Sequence, residues 1–345
     1  MKTEQNDAGP LLTVQSVSKF FPITKGLLRR RKGILKAVDG VSLEIKPGET
    51  LGLVGESGCG KTTLGRCIMR GYDLTSGRIV MRIGDRSVDI SEMSQNELRP
   101  LRQAFQMIFQ DPYSSLNPRM TVFDIVSEPL KLIGEASEQE REDTVKRVLE
   151  AVGLEIKHMK RYPHAFSGGQ RQRIGLARAL STNPKLIICD EPVSALDVSV
   201  RAQILNLLED LQDEYNLTYL FVAHDLSVVE HISDRIAVMY LGKIVELGKT
   251  DDVYGNPRHP YTAALLSAIP YPDPTVRLKR MKVSGEIDSV ADVPTGCPFH
   301  PRCPHSRTIC ETDAPEFRMT GTGHFARCHF AGELDLEGVA MRSDE

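Results

Sequence analysis

The sequence has no long hydrophobic run and no excess of positive charge. No stretch reaches the roughly 18 uncharged apolar residues that a membrane-spanning helix needs, and the start MKTEQNDAG lacks the apolar segment of a secretory signal. We therefore expect the chain to remain in the cytoplasm. Its 43 Lys and Arg residues are balanced by 46 Asp and Glu residues, for a formal net charge of -3. Such a charge does not predict binding of nucleic acid.

Closely spaced Cys-x-x-Cys pairs are missing as well, although the chain has seven cysteines. In a reducing compartment, cysteines that cluster favour metal binding over a disulfide framework. Four cysteines do cluster, with five, six and 17 residues between them: Cys297, Cys303, Cys310 and Cys328. Structural zinc sites favour tight pairs, whereas this looser spacing with two Cys-Pro steps is compatible with an iron–sulfur cluster. The other three, Cys59, Cys67 and Cys189, are explained by packing in the core.

Apolar patterning divides the 345 residues into one large domain and an extension. Alternating or short apolar segments predict strands at 11–18, 37–45, 50–54, 186–189 and 218–223. Helices are predicted from about Lys61 and over 138–152. Short apolar strands separated by helices build a parallel sheet that is covered on both faces. Prolines crowd residues 257–274, so we place the domain boundary between residues 11–253 and residues 254–345.

A glycine-rich segment after the predicted strand at 50–54 carries the strongest local signal. Its sequence, GESGCGKT, has the G-x-x-x-x-G-K-T spacing of a phosphate-binding P-loop. Backbone N–H groups of such a loop surround phosphate oxygens, Lys61 brings a positive charge to the terminal phosphates, and the Thr62 hydroxyl can bind magnesium. The predicted nucleotide-binding residues here are Gly55, Glu56, Ser57, Gly58, Cys59, Gly60, Lys61, Thr62 and Thr63.

Two carboxylates follow the apolar run LIIC at 186–189. Asp190 suits magnesium coordination, usually through a water molecule. Glu191, one residue further, can then polarise the water that attacks the terminal phosphate, a role worth roughly 10²- to 10⁴-fold in rate. An acidic turn after a strand is common by itself, but beside a P-loop we interpret this pair as catalytic.

The segment FSGGQRQR, followed by the helical run IGLARAL, resembles the signature of ABC ATPases. The resemblance implies that Ser167 binds the terminal phosphate of a nucleotide held by a second subunit. Gly168, Gly169 and Gln170, at the start of the helix, would take part in this contact. The resemblance implies an α/β P-loop NTPase fold, the ABC nucleotide-binding domain. It has a mainly parallel sheet, an antiparallel β subdomain and a helical subdomain, and here a small C-terminal extension follows it. ATP and Mg²⁺ are the implied ligands.

Further positions occur in the order that this family requires. By resemblance, Gln110 contacts magnesium and senses the membrane partner, and Asp197 lines the interface between two ATPase domains. His224 hydrogen-bonds the terminal phosphate and orients the attacking water. Phe21 is the expected adenine-stacking residue, with its neighbour Phe20 as the alternative. No catalytic position of the family is missing, so the resemblance implies an active ATPase, and a catalytically silent regulatory subunit is the alternative.

The segment NPRHPYT at 256–262 and the helical run after it look like the start of the C-terminal region in oligopeptide and dipeptide importer ATPases. The stretch QDPYSSLNPRM at 110–120 is similar to that subfamily too. This resemblance implies import of short peptides, with nickel, glutathione or an oligosaccharide as alternative cargoes. A soluble ABC ATPase acting on nucleic acid is the rival from another class. Taken alone, the triplet His259-Pro260-Tyr261 (HPY) predicts only a turn that leads into a helix.

The resemblance also implies partners and a location. The partners are a second ABC ATPase subunit, expected to be a non-identical homologue, two transmembrane permease subunits and an extracytoplasmic solute-binding protein. A pair of identical ATPase subunits is the alternative to the non-identical pair. The chain would lie peripherally at the cytoplasmic face of the membrane. In some relatives a similar cysteine quartet binds a [4Fe-4S] cluster, which is the expectation here, while zinc or unligated cysteines stay open.

Overall fold

The computed structural model of the protein describes residues 9–25, 30–111, 113, 115–134, 137–269 and 293–339, with the side chains of 24, 25 and 30–32 left out. Its strands, in chain order, are β1 (Leu12–Lys25), β2 (Arg30–Ile45), β3 (Thr50–Val54), β4 (Ser76–Ile83), β5 (Arg86–Asp89), β6 (Phe105–Ile108), β7 (Leu186–Asp190), β8 (Thr218–Ala223), β9 (Arg235–Tyr240), β10 (Lys243–Lys249), β11 (Arg318–Gly321) and β12 (His324–Ala326). Its α-helices are α1 (Lys61–Ile68), α2 (Gln95–Leu101), α3 (Val122–Ile133), α4 (Glu138–Ala151), α5 (Gly168–Leu180), α6 (Val198–Tyr215), α7 (Leu226–Ile232), α8 (Thr250–Gly255), α9 (Pro260–Ser267) and α10 (Thr308–Thr312).

The larger sheet has the strand order β11-β12-β10-β9-β3-β8-β7-β6. Strands β9, β3, β8, β7 and β6 are parallel, and β10, β12 and β11 continue the sheet in antiparallel pairs. Every residue of β3, β7 and β8 is buried, as expected for parallel strands covered on both faces. This confirms the predicted α/β fold with a mainly parallel sheet.

Side-chain alternation along the central strands separates two hydrophobic cores. On β8, Tyr219 and Phe221 pack into one core, whereas Leu220 and Val222 pack into the other, because successive side chains of a strand point to opposite faces. The first core also takes side chains from α3 to α7. The second core lies against the smaller sheet and α1.

The smaller sheet is the predicted antiparallel β subdomain, with strand order β2-β1-β4-β5. Its first two strands run well beyond the predicted segments 11–18 and 37–45. Their hairpin still pairs Ile23 with Gly33, so the segment between those two predictions is largely strand. The basic residues 29–32 lie outside the described side chains.

Helices α3, α4 and α5 pack on one another as the predicted helical subdomain. The helix predicted over 138–152 is α4, which begins in a capping box where Ser137 and Glu140 each bond to the other's backbone N–H. Val145, Val148 and Leu149 on α4 are fully buried. Their spacing of three and four residues therefore reports the face that packs on the neighbouring helices.

The C-terminal extension adds strands to the larger sheet, because β12 pairs with β10. At this junction Glu246, which is fully buried, accepts hydrogen bonds from the backbone N–H groups of Arg258 (2.6 Å) and His259 (2.9 Å). Its carboxylate also lies 2.7 Å from Nε2 of His324 on β12. A buried carboxylate needs such partners, so this cluster anchors the extension to β10. The division after residue 253 stays a prediction.

Candidate active site

The predicted P-loop connects β3 to α1. Its glycines are required by geometry: a Cβ on Gly55 would lie 2.1 Å from the carbonyl oxygen of Met239, and one on Gly60 would lie 2.0 Å from that of Ala37. Gly55 and Gly60 also have φ angles of 154° and 113°, which non-glycine residues rarely adopt. Gly60 precedes α1 and no side chain caps this helix. The first N–H groups of α1 are therefore available to an anion.

Lys61 lies inside the loop with only 4% of its surface exposed. Its Nζ donates to the carbonyl oxygens of Gly55 (2.7 Å) and Glu56 (3.0 Å). The next residue, Thr62, donates its hydroxyl to Oδ1 of Asp190 at 2.8 Å. Burial raises the pKa of Asp190, and a bound divalent cation would favour its ionised form. The hydroxyl and carboxylate predicted to hold magnesium are thus neighbours, a donor set of oxygens that suits Mg²⁺.

Glu191 follows the end of β7 in a left-handed conformation, with φ of 48°. Such a backbone is unusual for a residue other than glycine and recurs at functional sites. Gln110 Nε2 donates to Oε2 of Glu191 at 2.9 Å, and Nδ1 of His224 lies 3.1 Å from the same oxygen. The three residues predicted to be catalytic therefore meet at one carboxylate oxygen, although they come from distant parts of the sequence.

One cavity contains Gln110 and Glu191 together with the predicted adenine-stacking residue, whereas His224 is not among its described lining residues. Its wall contains the predicted Phe21, Ser57, Gly58, Gly60, Lys61, Thr62, Thr63, Gln110 and Glu191, together with Leu35 and Ala37 from β2. Sequence analysis missed these two β2 residues, because nothing in their pattern distinguishes cavity lining from ordinary strand packing. Phe20, the alternative to Phe21, is not part of this wall. Lys36 Nζ lies over the Phe20 ring instead, 5.6 Å from its centroid.

The signature residues 167–170 form the start of α5 and are separate from the described wall of the nucleotide cavity. Ser167 caps α5: its hydroxyl accepts from the Gln170 N–H at 3.3 Å, and Gln170 Oε1 accepts from the Ser167 N–H at 3.1 Å. Gly169 packs so closely on α6 that a Cβ would lie 2.5 Å from Val200 Cγ1. Among the described residues that line the nucleotide cavity, none comes from 167–170. Asp197 is exposed and caps α6 by accepting the Val200 N–H at 3.0 Å, which lowers the pKa of Asp197.

Comparison with known proteins matches the two parts of the chain to one family. The profile of the ABC transporter family matches residues 38–194, and that of the oligopeptide/dipeptide transporter C-terminal region matches residues 245–310. Over 322 residues the chain is 52% identical to the oligopeptide transport ATP-binding protein AppF of Bacillus subtilis, covering 92% of this chain and 97% of AppF. The chain belongs to the ATP-binding proteins of oligopeptide/dipeptide ABC transporters. Its activity is ATP hydrolysis coupled to transport.

A further peptide-transporter relative and two solved ATP-binding cassettes are also similar to this chain. A probable peptide ABC transporter ATP-binding protein of Sinorhizobium fredii, y4tS, is 48% identical over 319 residues, covering 92% of this chain and 89% of y4tS. The dimeric ATP-binding cassette MJ0796 bound to ADP and phosphate superposes with a TM-score of 0.60 at 29% identity, covering 69% of this chain and 98% of MJ0796. The cbiO1 protein of Clostridium perfringens gives a TM-score of 0.59 at 26% identity, over 72% of this chain and 91% of cbiO1. These cassettes confirm the P-loop NTPase fold.

The HPY triplet of the family's C-terminal region forms the start of α9. His259 caps the helix, its Nδ1 accepting from the Tyr261 N–H at 3.0 Å, and Pro260 occupies the first turn. Burial lowers the pKa of His259 to about 3, so its ring stays neutral and free to accept. The side chain of Tyr261 reaches the P-loop, where its hydroxyl accepts a hydrogen bond from the backbone N–H of Glu56 at 2.9 Å. The triplet therefore makes the predicted helix-entry turn and also contacts the nucleotide site.

The four C-terminal cysteines line one small cavity. Four histidines and four apolar side chains form the rest of its wall: His259, His300, His305, His329, Pro260, Phe299, Phe330 and Leu334. Burial raises the pKa of Cys297 to about 12 and that of Cys303 to about 11. Burial raises the pKa of Cys328 as well, and in these three thiols the backbone N–H two residues later acts in the opposite direction on the pKa.

Among the described residues, no group of three or more His, Cys, Asp or Glu side chains is arranged to hold a single metal ion. The tertiary structure nevertheless brings all four cysteines to one cavity. In the same described portion of the chain, none of the helices combines the length and the hydropathy that crossing a membrane requires.

Proposed function

We propose that this ATPase powers import of short peptides from the cytoplasmic face of the cell membrane. The observation that carries the proposal is that Gln110, Glu191 and His224 meet in the same chain as the oligopeptide/dipeptide C-terminal region. Relatives named for oligopeptide or peptide transport support it. The proposed organisation is an ATPase domain over residues 11–253 and a C-terminal extension over 254–345. The proposed partners are a second, non-identical ATPase subunit, two permease subunits and an extracytoplasmic solute-binding protein.

Transport into proteoliposomes tests the cargo. The chain would be tagged, recovered in detergent with its membrane partners, and reconstituted with ATP on the side of the ATPase. Labelled dipeptides and oligopeptides should accumulate only with hydrolysable ATP, and complexes carrying Glu191→Gln provide the control. Accumulation of nickel, glutathione or an oligosaccharide instead would contradict peptide cargo. Recovery with nucleic acid and without membrane subunits would contradict the transporter assignment of this chain.

We propose that two ATPase domains close face to face on their nucleotides. Two observations support this arrangement. Residues 167–170 are not among the described residues that line the cavity of their own chain, and the similar cassette MJ0796 is dimeric. In the closed pair, Lys61 of one domain and Ser167 of the other would hold the same terminal phosphate, with Asp197 at the interface. Opening and closing of the pair would then move the permease subunits.

Within each site the chain's own groups divide the work. Magnesium, held by Thr62 and Asp190, would neutralise charge on the phosphates when bound. We propose that Glu191 polarises the attacking water and that His224 orients it and hydrogen-bonds the terminal phosphate. Gln110 would contact the magnesium and report contact with the membrane partner. The shared hydrogen bonds at Oε2 of Glu191 support a common role for these three residues.

A groove beside Gln110 supports the permease contact. Its wall is formed by Met69, Arg99, Arg102, Gln106, Met107, Phe109, Glu128, Pro129, Leu132, Ile133 and Arg178. Phe109 and Leu132 are 41% and 58% exposed, and four charged side chains share this wall with them. We propose that a cytoplasmic segment of the permease occupies this groove. Leu132→Asp should then lose permease in detergent pull-downs while binding ATP normally, and retention of permease would contradict the proposal.

We propose that the cysteine quartet binds a [4Fe-4S] cluster, with zinc as the alternative. The cavity shared by the four cysteines supports a bound metal, and their loose spacing with two Cys-Pro steps supports a cluster over zinc. Protein purified without oxygen should contain iron and acid-labile sulfide, and both should fall in Cys303→Ser but persist in the core variant Cys67→Ala. Zinc without iron in the wild-type protein would overturn this assignment.

A further inference from the structure

The C-terminal extension holds one P-loop residue at two points. The guanidinium of Arg302 forms a bidentate pair with the carboxylate of Glu56, with Nη1–Oε2 and Nη2–Oε1 distances of 2.9 and 3.0 Å. The hydroxyl of Tyr261 accepts from the backbone N–H of Glu56 at 2.9 Å. Glu56 is the residue after Gly55, the first glycine of the loop. Its side chain and its backbone are therefore both bound by residues more than 200 positions later in the sequence.

The pair lies largely out of solvent. The side chains of Arg302 and Glu56 are 9% and 24% exposed. Arg302 Nη1 also lies 3.4 Å from the hydroxyl of Tyr240, and the rings of Tyr240, Tyr261 and Phe299 pack on one another with centroids 4.6 to 5.4 Å apart. A bidentate pair in such a setting has a fixed geometry and is less screened than a surface pair. The Arg302–Glu56 pair can therefore hold the P-loop in position as well as neutralise the charge of Glu56.

The backbone of Glu56 is in direct contact with Lys61. The Lys61 ammonium donates to the carbonyl oxygen of Glu56 at 3.0 Å and to that of Gly55 at 2.7 Å. Gly55 is confined by Met239, whose carbonyl oxygen leaves no room even for a Cβ. A continuous set of contacts thus runs from the extension through the backbone of Glu56 to the lysine that faces the phosphates.

We propose that Arg302 and Tyr261 are positioning residues of the ATPase site. They hold the P-loop in the form that accepts nucleotide, so the extension sets the affinity for ATP. The inference rests on the ATPase activity of the family and is independent of the cargo and of any cluster. Because Arg302 directly precedes Cys303, the same contact also connects the wall of the cysteine cavity to the P-loop.

The test uses the full chain and separates nucleotide affinity from turnover. Arg302→Met should raise the Kd for a fluorescent ATP analogue and the KM for ATP about tenfold, with kcat within about twofold, since one charge-assisted contact is lost. Arg302→Lys keeps the charge without the bidentate geometry, and Tyr261→Phe removes only the acceptor, so each should raise KM about threefold. Arg318→Met, an exposed arginine of the same extension, is the matched control and should leave KM unchanged.

Each Arg302 variant would also be made in a Glu56→Gln background. If Arg302 acts through Glu56, its replacement should have almost no further effect there. An unchanged KM in both Arg302 variants, or an effect of equal size in the two backgrounds, would overturn the proposal. If Arg302→Met does not fold, the lysine variant and its cycle with Glu56→Gln decide the question. Loss of turnover with normal ATP affinity would likewise contradict a positioning role.

Discussion

The nucleotide cavity and the cysteine cavity are built from the same chain in different ways. The first is formed around one continuous loop, whose backbone groups are held by tight glycine contacts and by Lys61. The second is lined by four cysteines that are spread over 32 positions of the sequence, together with histidine and apolar side chains. The first site needs precise polar geometry for chemistry on phosphates, whereas the proposed cluster site would need only that four thiolates be gathered and shielded.

This difference separates catalytic from structural effects. Changes at the nucleotide cavity should alter turnover or ATP affinity with small effects on folding. Changes in the extension should alter stability, metal content or, through Arg302, the affinity for ATP. Four variants test that separation, beginning with the one expected to have the largest effect.

Replacing Glu191 with Gln should lower kcat by roughly 10²- to 10⁴-fold, the usual range for a general base, while ATP binding persists. The amide keeps the size of the side chain and can still contact Gln110 and His224, but it cannot take up a proton. Steady-state phosphate release and binding of a fluorescent ATP analogue measure the two effects. Glu214→Gln, an exposed residue of α6, is the control. Undiminished hydrolysis in Glu191→Gln would remove Glu191 from the mechanism.

Replacing Ser167 with Ala should lower ATPase activity about tenfold or more, because a hydrogen bond to a charged group is worth about 1.5–3 kcal/mol. Nucleotide binding by the isolated chain should change little, since Ser167 is not among the described residues of its own cavity wall. The lost helix cap should cost about 1 kcal/mol of stability. Ser137→Ala removes the equivalent capping box of α4 and controls for that loss. Equal activities of the two variants would argue against the two-chain site.

Replacing Phe21 with Ala should weaken ATP binding about tenfold, because stacking of a base on an aromatic ring is worth about 1–3 kcal/mol. Phe20→Ala is the matched control, since only Phe21 of the two belongs to the cavity wall. Titration with ATP and with a nucleotide of a different base distinguishes stacking from phosphate contacts. A larger loss in Phe20→Ala would reassign the adenine contact to Phe20.

Replacing His259 with Asn should change the pH dependence of stability. Burial lowers the folded-state pKa of His259 from 6.5 to about 3, so between these values the unfolded chain binds a proton that the folded chain does not. Stability therefore falls as the pH drops below 6.5. Asn can still cap α9, and the variant should lose that part of the slope in urea unfolding at pH 7 and pH 4.5. The exposed His231, replaced by Asn, should keep the wild-type slope, and parallel slopes for all three proteins would refute the assignment.

The sequence by itself determined the elements whose causes are local. The glycine spacing before Lys61 predicted a loop that only glycines can form, and the apolar runs predicted β3, β7 and β8. Asp190 and Glu191 could be placed at the site from sequence because a parallel strand delivers the residues after it to the same edge of the sheet as the P-loop. The roles assigned to Gln110, His224 and Ser167 came from family resemblance, and they stay predictions.

Only the tertiary structure decided which distant residues touch this loop. Leu35 and Ala37 join the cavity wall because the smaller sheet folds over it, and Tyr261 and Arg302 reach Glu56 because β12 pairs with β10 and brings the extension back. Contacts across 200 residues depend on the packing of the whole chain, and no local pattern encodes them. The same packing brings the four cysteines into one cavity, which their spacing could suggest but not establish.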